Sequence, residues 1–295
     1  MYAETEEEKA ALSKLTTTAA SGTSTTKSAE VEFDMRIPVD LFNSSMKFLP
    51  PNVSFKLRCI RNDSNYGLIY AGNNKYNIRL EDCRLQLRKI ILSPFALEKY
   101  RSKLQTQEAH MNYKTGKIRT FQIAKDLTSL NINQIAVGTL PTSLVIGFVD
   151  ADSFSGAKNT DPFRFNHFNL SKMNLKIGGA NVLPKTFQPV WTAGEERDIA
   201  YMYRALMDHT GFNRNGSNLD ITKSQFKDNR FFIAYDLTPD LCYSAHNHLP
   251  KKGDISVELG WAAPGLSTNI VMVVYMVYDA VLSINNYSQI NVSTT

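Results

Sequence analysis

Residues 231–284 constrain the fold more than any other part of the chain. They contain three runs rich in β-branched and aromatic residues, at 231–235, 255–259 and 270–278. Side chains of these types pack well on a pleated, half-buried surface. Turn-forming residues separate the runs at Thr238-Pro239-Asp240, at Lys251-Lys252-Gly253-Asp254 and at Ala263-Pro264-Gly265. Short strands at this spacing predict a β-sandwich or barrel rather than a βαβ fold.

Alternating apolar and polar residues predict further strands closer to the amino terminus. Apolar side chains occupy every second position in three runs: Val53, Phe55, Leu57 and Cys59; Tyr76, Ile78 and Leu80; and Cys83, Leu85 and Leu87. Antiparallel sheets with one face in water show this pattern. The opposite faces of the runs carry basic residues at Lys56, Arg58, Arg84 and Arg88. These residues either form a patch for nucleic acid or a neighbouring subunit, or face the solvent, which is the more common case.

The middle of the chain predicts more strands and two helices. Strands are expected at 118–123, 134–140, 144–149, 163–168 and 173–177, with a tight hairpin turn at Gly178-Gly179. A linker helix is expected at 95–108, after Ser93-Pro94. The clearest helix is expected at 192–209, with Thr192 and Glu195 as a capping box. Its apolar stripe would consist of Ile199, Met202, Tyr203 and Leu206.

Composition is that of a globular protein with enough apolar residues for a core, since 43% of its 295 residues are hydrophobic and 21% are charged. The formal net charge of +5 is mildly basic and falls short of a dedicated nucleic-acid binder. Three scattered cysteines, Cys59, Cys83 and Cys242, fit a reducing compartment. Cys59 and Cys83 are expected to be buried thiols because they fall in predicted strands.

The first 30 residues have a different character from the rest of the chain. Residues 4–15 are charged and predict a short helix, and residues 16–28 are rich in Thr, Ser, Ala and Gly. The second composition predicts a flexible arm, which is either a plain terminus or a loop that orders on a partner. The acidic start is unlike an export signal. The longest apolar run, 270–278, is shorter than the roughly 20 residues needed to cross a bilayer, so no membrane span is expected.

Motifs that carry chemistry are sparse. The chain has no GxxxxGK[ST], GxGxxG or GxSxG motif. Asp150-Ala151-Asp152 with Gly156 departs from a calcium loop in the position of its glycine and lacks a closing Glu. The best metal-like group is His246 and His248 beside Asp240 and Cys242, but it falls in a polar turn region where surface histidines are more common. We therefore assign no catalytic residue, no cofactor and no metal ligand.

Four segments together resemble one protein family. They cover residues 48–63, 76–94, 138–189 and 231–240, and the third contains Leu140-Pro141, Val145-Ile146-Gly147-Phe148-Val149-Asp150, Asp161-Pro162-Phe163-Arg164-Phe165 and Gln188-Pro189. In order and spacing they resemble the capsid-type proteins of Polinton (Maverick) elements and adintoviruses, from about residue 36 to the end. No single motif is decisive, and the ordered set carries the resemblance.

The resemblance implies a double jelly-roll major capsid protein, hexon-like, that assembles as trimers in an icosahedral shell. It places a partial first jelly roll at 31–94, a linker helix at 95–108 and a complete second jelly roll at 109–295, after an arm at 1–30. Members of the family have a longer amino-terminal part, so the first roll is incomplete here. Expected partners are further copies, other capsid proteins and, through non-specific contacts, packaged DNA. The expected location is the virion, assembled in the host cytoplasm or nucleus.

Two loops are candidates for contacts between subunits, at 150–161 and 211–228. Two rival functions stay open, because jelly rolls also occur in lectins and cupin enzymes. One is a jelly roll that binds carbohydrate or another ligand. The other is a cupin-type metalloenzyme, which would hold its metal through His246 and His248.

Overall fold

The structure is a computed structural model, and it describes residues 31–37, 39–40, 53, 56–62, 66–69, 78–183, 185–209, 221–239 and 248–294. The chain divides into two units, residues 1–43 and 44–295. In the first unit, residues 31–36 are exposed and have no regular secondary structure. The second unit contains all the strands and helices described below.

Within the described residues of the second unit, nine antiparallel strands form two sheets. They are β1 (Ala109–Ile123), β2 (Ser129–Thr139), β3 (Ser143–Asp150), β4 (Leu170–Ile177), β5 (Ala180–Asn181), β6 (Phe232–Asp236), β7 (Lys252–Trp261), β8 (Ile270–Ile284) and β9 (Ile290–Thr294). The five-stranded sheet has the order β1-β8-β3-β6, with β9 also paired to β8, and the four-stranded sheet has the order β2-β7-β4-β5.

This strand order is that of a jelly roll. The first strand pairs with the eighth, the second with the seventh, the third with the sixth and the fourth with the fifth. Such nested pairing arises when one long antiparallel ribbon wraps into two packed sheets. The prediction of an all-β fold with a complete jelly roll and short connecting helices is confirmed. The domain boundaries stay a prediction.

The core lies between the two sheets. Leu144, Ile146 and Phe148 of β3 face Ile255 and Val257 of β7 across the sandwich, and all five are buried. Because side chains alternate along a strand, the residues between them point to the outer faces. β8 and β3 are apolar on both faces, from Ile270 to Tyr278 and from Leu144 to Val149.

Two turns match their sequence signals. Gly178 and Gly179 connect β4 to β5 with φ values of 56° and 82°, which glycine adopts at no steric cost. Gly265 lies between β7 and β8 with φ at 104°, and a Cβ there would be 2.9 Å from the Leu127 carbonyl oxygen. A side chain at position 265 would therefore strain the turn and displace its neighbour.

Helices connect the strands. They are α1 (Pro94–Thr106), α2 (Ala151–Phe154), α3 (Ile199–His209) and α4 (Lys223–Asp228). The Ser93 side chain caps α1 by accepting a hydrogen bond from Ala96 N–H. None of these helices is long and apolar enough to cross a membrane, within the residues described.

The predicted start of the helix at 192–209 is wrong. α3 begins at Ile199 rather than at Thr192, because Val190 and Arg197 pair as a β-bridge and hold the segment between them out of a helix. The predicted stripe is correct, since Ile199, Met202 and Leu206 are buried. A capping box does occur, but before α4, where Thr222 and Gln225 exchange side-chain to backbone hydrogen bonds.

Several predicted strands are absent. Residues 56–62 and 78–93 contain no strand, and residues 163–168 contain only a bridge at Phe165. Cys59 and Cys83 are exposed, so the prediction that both thiols are buried is wrong. Alternation creates a strand only where a neighbouring strand accepts its backbone hydrogen bonds. The helix expected at 4–15 lies outside the described residues.

Candidate functional site

The outer face of the five-stranded sheet is unusually apolar at its centre. Two rows of aligned side chains cross the strands there: Ile118, Tyr275, Val145 and Ala234 in one, and Val273, Gly147 and Phe232 in the other. Ile118 is 65% exposed and Tyr275 is 43% exposed. Ala234 is buried, and we call the other five side chains, Ile118, Val145, Phe232, Val273 and Tyr275, the apolar face.

Glycines beneath aromatic rings keep this face flat. A Cβ on Gly116 would lie 2.5 Å from the Tyr275 ring, so that ring occupies the space above the glycine. Gly147 is covered in the same way, because a Cβ there would lie 2.7 Å from the Phe165 ring. The rings of Phe165 and Phe232 are in contact, with centroids 4.6 Å apart. Aromatic rings thus supply the apolar surface that the glycines lack.

The loop before β4 extends this aromatic surface. Phe163 is 65% exposed, and its ring meets the ring of Tyr66 edge-on with centroids 5.6 Å apart. His167 stacks on Trp191 at 3.7 Å between centroids. Burial lowers the pKa of His167 to about 4, although the nearby Asp228 opposes the shift. His167 is therefore neutral at pH 7 and behaves as an aromatic side chain in this cluster.

A buried ion cluster lies beside the apolar face. Lys114 and Asp279 face each other across β1 and β8, with Nζ and Oδ1 3.0 Å apart. His248 donates its backbone N–H to Asp279 Oδ2 at 3.0 Å, and its Nδ1 lies 3.3 Å from the same oxygen. Burial alone would raise the pKa of Asp279, but hydrogen bonds from His248 and Lys114 hold it below its ordinary value. The cluster attaches the segment before β7 to the sheet.

A serine–histidine pair also lies on this sheet. Ser143 Oγ and His209 Nε2 are 2.7 Å apart, and both residues are buried. Burial lowers the pKa of His209, and the nearby Asp236 opposes that shift. The neighbouring cavity, lined by Thr142, Leu237 and Thr238 among others, has a volume of about 20 Å³, enough for one water molecule. The pair therefore anchors the end of α3 to β3.

Of the four residues in the predicted metal-like group, the structure describes only His248. His248 is committed to Asp279, and Asp240, Cys242 and His246 lie outside the described residues. Within the described ranges, no three His, Cys, Asp or Glu side chains group as a metal site would require. Of the Asp150-Ala151-Asp152 motif, Asp150 caps α2 by accepting a hydrogen bond from Asp152 N–H.

The candidate contact loops are likewise partly described. The first, residues 150–161, contains α2 and a series of turns. The second includes α4, while residues 211–220 lie outside the described part of the chain. The apolar face was not predicted as a site, although one signal was present. A run with apolar residues at both alternating sets of positions, as in 270–278, indicates a strand that is covered on both faces.

Comparisons with known proteins give distant structural likenesses. No family model and no curated protein matches the chain. A chain in the cryo-EM structure of the Sputnik virophage has 14% sequence identity and a TM-score of 0.39, and the match covers 63% of this chain and 39% of that chain. The crystal structure of the mavirus major capsid protein is 12% identical with a TM-score of 0.39, over 63% and 42%.

A third likeness is to VP54 of PBCV-1, as fitted into a reconstruction of the Sputnik virophage. It is 8% identical with a TM-score of 0.40, over 67% of this chain and 54% of that one. The chain thus spans between 39% and 54% of these three chains. At such TM-scores the jelly-roll assignment rests on the strand order described above.

Proposed function

We propose that this chain is a structural capsid protein, of viral or transposon origin, that self-associates through jelly-roll capsomers into an icosahedral shell. The observation that carries the proposal is an apolar face on a complete jelly roll, exposed at Ile118 and Tyr275. Jelly rolls build many viral shells. The resemblance to Polinton and adintovirus capsid proteins, argued from four ordered segments, supports the same assignment. The partial first jelly roll at 31–94 is part of the proposal.

The apolar face supports association with further copies of the chain. Exposed apolar surface that forms one patch marks an interaction site more often than single scattered residues do. Ile118 and Tyr275 lie side by side in register and are both exposed. Closed symmetric oligomers bury such patches in interfaces that are more apolar than those of transient complexes. We propose a homotrimer, further assembly with other capsid proteins, and a location in the virion, with non-specific contact to packaged DNA.

The experiment compares two substitutions of matched exposure. Ile118→Asp places a charge at the centre of the apolar face, where the wild-type side chain is 65% exposed. Val137→Asp places the same charge on β2, on the outer face of the four-stranded sheet, where Val137 is 63% exposed. Sedimentation velocity and negative-stain microscopy of the purified proteins should show trimers or shells for wild type and Val137→Asp, and monomers for Ile118→Asp.

Circular dichroism should show the same fold for all three proteins, because both altered side chains are exposed in the wild type. A wild-type protein that stays monomeric at all concentrations tested would contradict the capsid proposal. Trimers of Ile118→Asp would leave self-association intact and reject the apolar face as its interface.

A second candidate function is carbohydrate binding. A cleft of about 250 Å³ lies beside the turn between β8 and β9, and its lining is mostly polar: Glu108, Ser283, Asn285, Gln289, Ile290 and Asn291. Tyr287 in the same turn is 78% exposed and offers a ring for stacking. Glycan binding by monomeric protein, lost on Tyr287→Ala and Asn291→Ala, would favour this function over the capsid proposal.

A further inference from the structure

The positive charge of the chain is concentrated in one segment. Residues 44–108 contain 12 Lys and Arg against five Asp and Glu, whereas the rest of the chain contains 21 against 23. The segment thus has a net charge of +7 in a chain whose total is +5. We call residues 44–108 the basic segment. The modest charge of the whole chain conceals this asymmetry.

The described basic side chains of this segment are all exposed. They are Lys56, Arg58, Arg61, Arg79, Arg84, Arg88, Lys89, Lys99, Arg101 and Lys103. Helix α1, which carries the last three, has no buried residue. Arg79 and Arg84 form ion pairs with Glu81 and Asp82, but these pairs are largely exposed and contribute little. Among the described residues, Lys56, Arg58, Arg88 and Lys89 have no acidic partner.

Most of these charges lie on irregular backbone. Residues 56–62 and 78–93 have no strand or helix, apart from the cap of α1 at Ser93. The unpaired charges are close together along the chain: Lys56 and Arg58 are two positions apart, and Arg88 and Lys89 are adjacent.

We propose that the basic segment binds the phosphate backbone of nucleic acid without sequence preference. Half of its 12 basic residues are Arg, whose planar guanidinium matches phosphate oxygens in a bidentate geometry. An anionic membrane is the less suitable partner, because stable attachment to a membrane takes a second signal besides basic charge, such as an acyl chain or an amphipathic helix with a strong apolar face. That this binding takes place in a virion, with packaged DNA as the ligand, rests on the proposed capsid function.

The test measures binding by full-length protein to a fluorescently labelled 30-nucleotide strand and to the corresponding duplex. A variant with Lys56→Gln, Arg58→Gln, Arg88→Gln and Lys89→Gln removes four exposed charges of the basic segment. The matched control, with Lys125→Gln, Arg164→Gln, Lys251→Gln and Lys252→Gln, removes four exposed charges of the jelly roll. Fluorescence anisotropy at several salt concentrations gives the affinity and its salt dependence for each protein.

Wild type and control should bind equally, and their affinity should fall steeply with salt. Each phosphate contact contributes about 0.9 to the slope of log K against log salt on duplex DNA. The four substitutions in the basic segment should therefore reduce the slope by about 3 to 4 and weaken binding more than tenfold at low salt. Oligonucleotides of different sequence should bind with the same affinity.

Equal loss of binding in the two variants would overturn the assignment to the basic segment. Sequence-selective binding, or binding to phosphatidylserine vesicles but not to nucleic acid, would overturn the proposed ligand. Sedimentation of the same proteins separates this inference from the capsid proposal. Shells that form from protein unable to bind DNA reject only the inference, and DNA binding by a protein that stays monomeric rejects only the capsid function.

Discussion

The two sheets of this jelly roll share one core but have opposite outer faces. On the four-stranded sheet, Asn131, Glu258 and Asn174 lie in one row across β2, β7 and β4. Asn174 donates to Asn181 Oδ1 at 2.8 Å, and Glu258 forms ion pairs with Lys172 and Lys176. On the five-stranded sheet, the corresponding central positions are Ile118, Tyr275 and Val145.

The contrast teaches that alternation alone does not determine what an outer face does. Both sheets bury their inner side chains between them, so the outer residues are not needed to hold the sandwich together. A polar outer face satisfies its hydrogen bonds with itself and with water. An apolar one leaves exposed side chains, here Ile118 and Tyr275, and burying a fully exposed side chain of this size contributes about 1.5–3 kcal/mol. The five-stranded sheet is therefore the face that gains from a partner.

Removing one carboxylate from each face should give the largest difference in stability. Asp279→Ala leaves Lys114 and the His248 N–H without their buried acceptor, and should lower the free energy of unfolding by about 2–4 kcal/mol. Glu258→Ala removes a partly exposed carboxylate from Lys172 and Lys176, and should cost less than about 1 kcal/mol. Urea denaturation of both variants measures the difference. Equal losses would show that the two ion clusters are equivalent.

The strands of the jelly roll could largely be predicted from sequence, whereas their partners could not. Residues 144–149 and 270–278 are apolar enough to predict strands unaided, and both belong to strands in the structure. Residues 83–88 alternate just as clearly but form no strand. Thr192 and Thr222 are each followed three positions later by the Glu or Gln of a capping-box pattern, but only Thr222 caps a helix. In each case tertiary contacts determine whether the local sequence pattern forms the predicted strand or helix cap.

The candidate site was harder to predict, because it depends on contacts between distant residues. Lys114 and Asp279 are separated by 165 positions, and no local pattern relates them. The apolar face likewise needs the pairing of β1, β8, β3 and β6 before Ile118, Tyr275 and Val145 become neighbours. The sequence shows the apolar character of 270–278, but this character predicts a strand buried on both faces rather than one with an exposed Tyr275.

Glycines on the two outer faces offer a smaller test of the same contrast. Gly147→Ala would place a Cβ 2.7 Å from the Phe165 ring, and should lower the free energy of unfolding by about 1–3 kcal/mol. Gly260→Ala on the four-stranded sheet would place a Cβ 3.1 Å from Lys172 Cβ, a milder contact that a movement of a few tenths of an ångström between β7 and β4 relieves. Its effect should stay below about 1 kcal/mol, since alanine also reduces the entropy of the unfolded chain. Thermal unfolding compares the two, and a larger loss for Gly260→Ala would contradict the ring packing on the apolar face.

The smallest expected effect is a pH dependence specific to the aromatic cluster beside the apolar face. The pKa of His167 is lowered by burial to about 4, so below pH 6.5 the unfolded chain binds a proton that the folded chain does not. Stability should therefore fall as the pH falls. Between pH 6.5 and 5.5 the loss from this residue is at most about 1 kcal/mol. The described strands of the four-stranded sheet contain no histidine and should contribute nothing in this range.

His167→Gln isolates the contribution of His167 to the pH dependence, because glutamine is polar but does not bind a proton in this pH range. Urea denaturation at pH 6.5 and 5.5 should show a smaller loss for the variant than for wild type. Part of the loss should remain, because burial also lowers the pKa of His209 and gives an effect of the same sign. Asp279 and Glu258 act elsewhere, since their pKa values lie below the ordinary carboxyl range and their stabilisation is lost only at lower pH. An unchanged loss in His167→Gln would show that the stacked ring on Trp191 titrates in the folded protein.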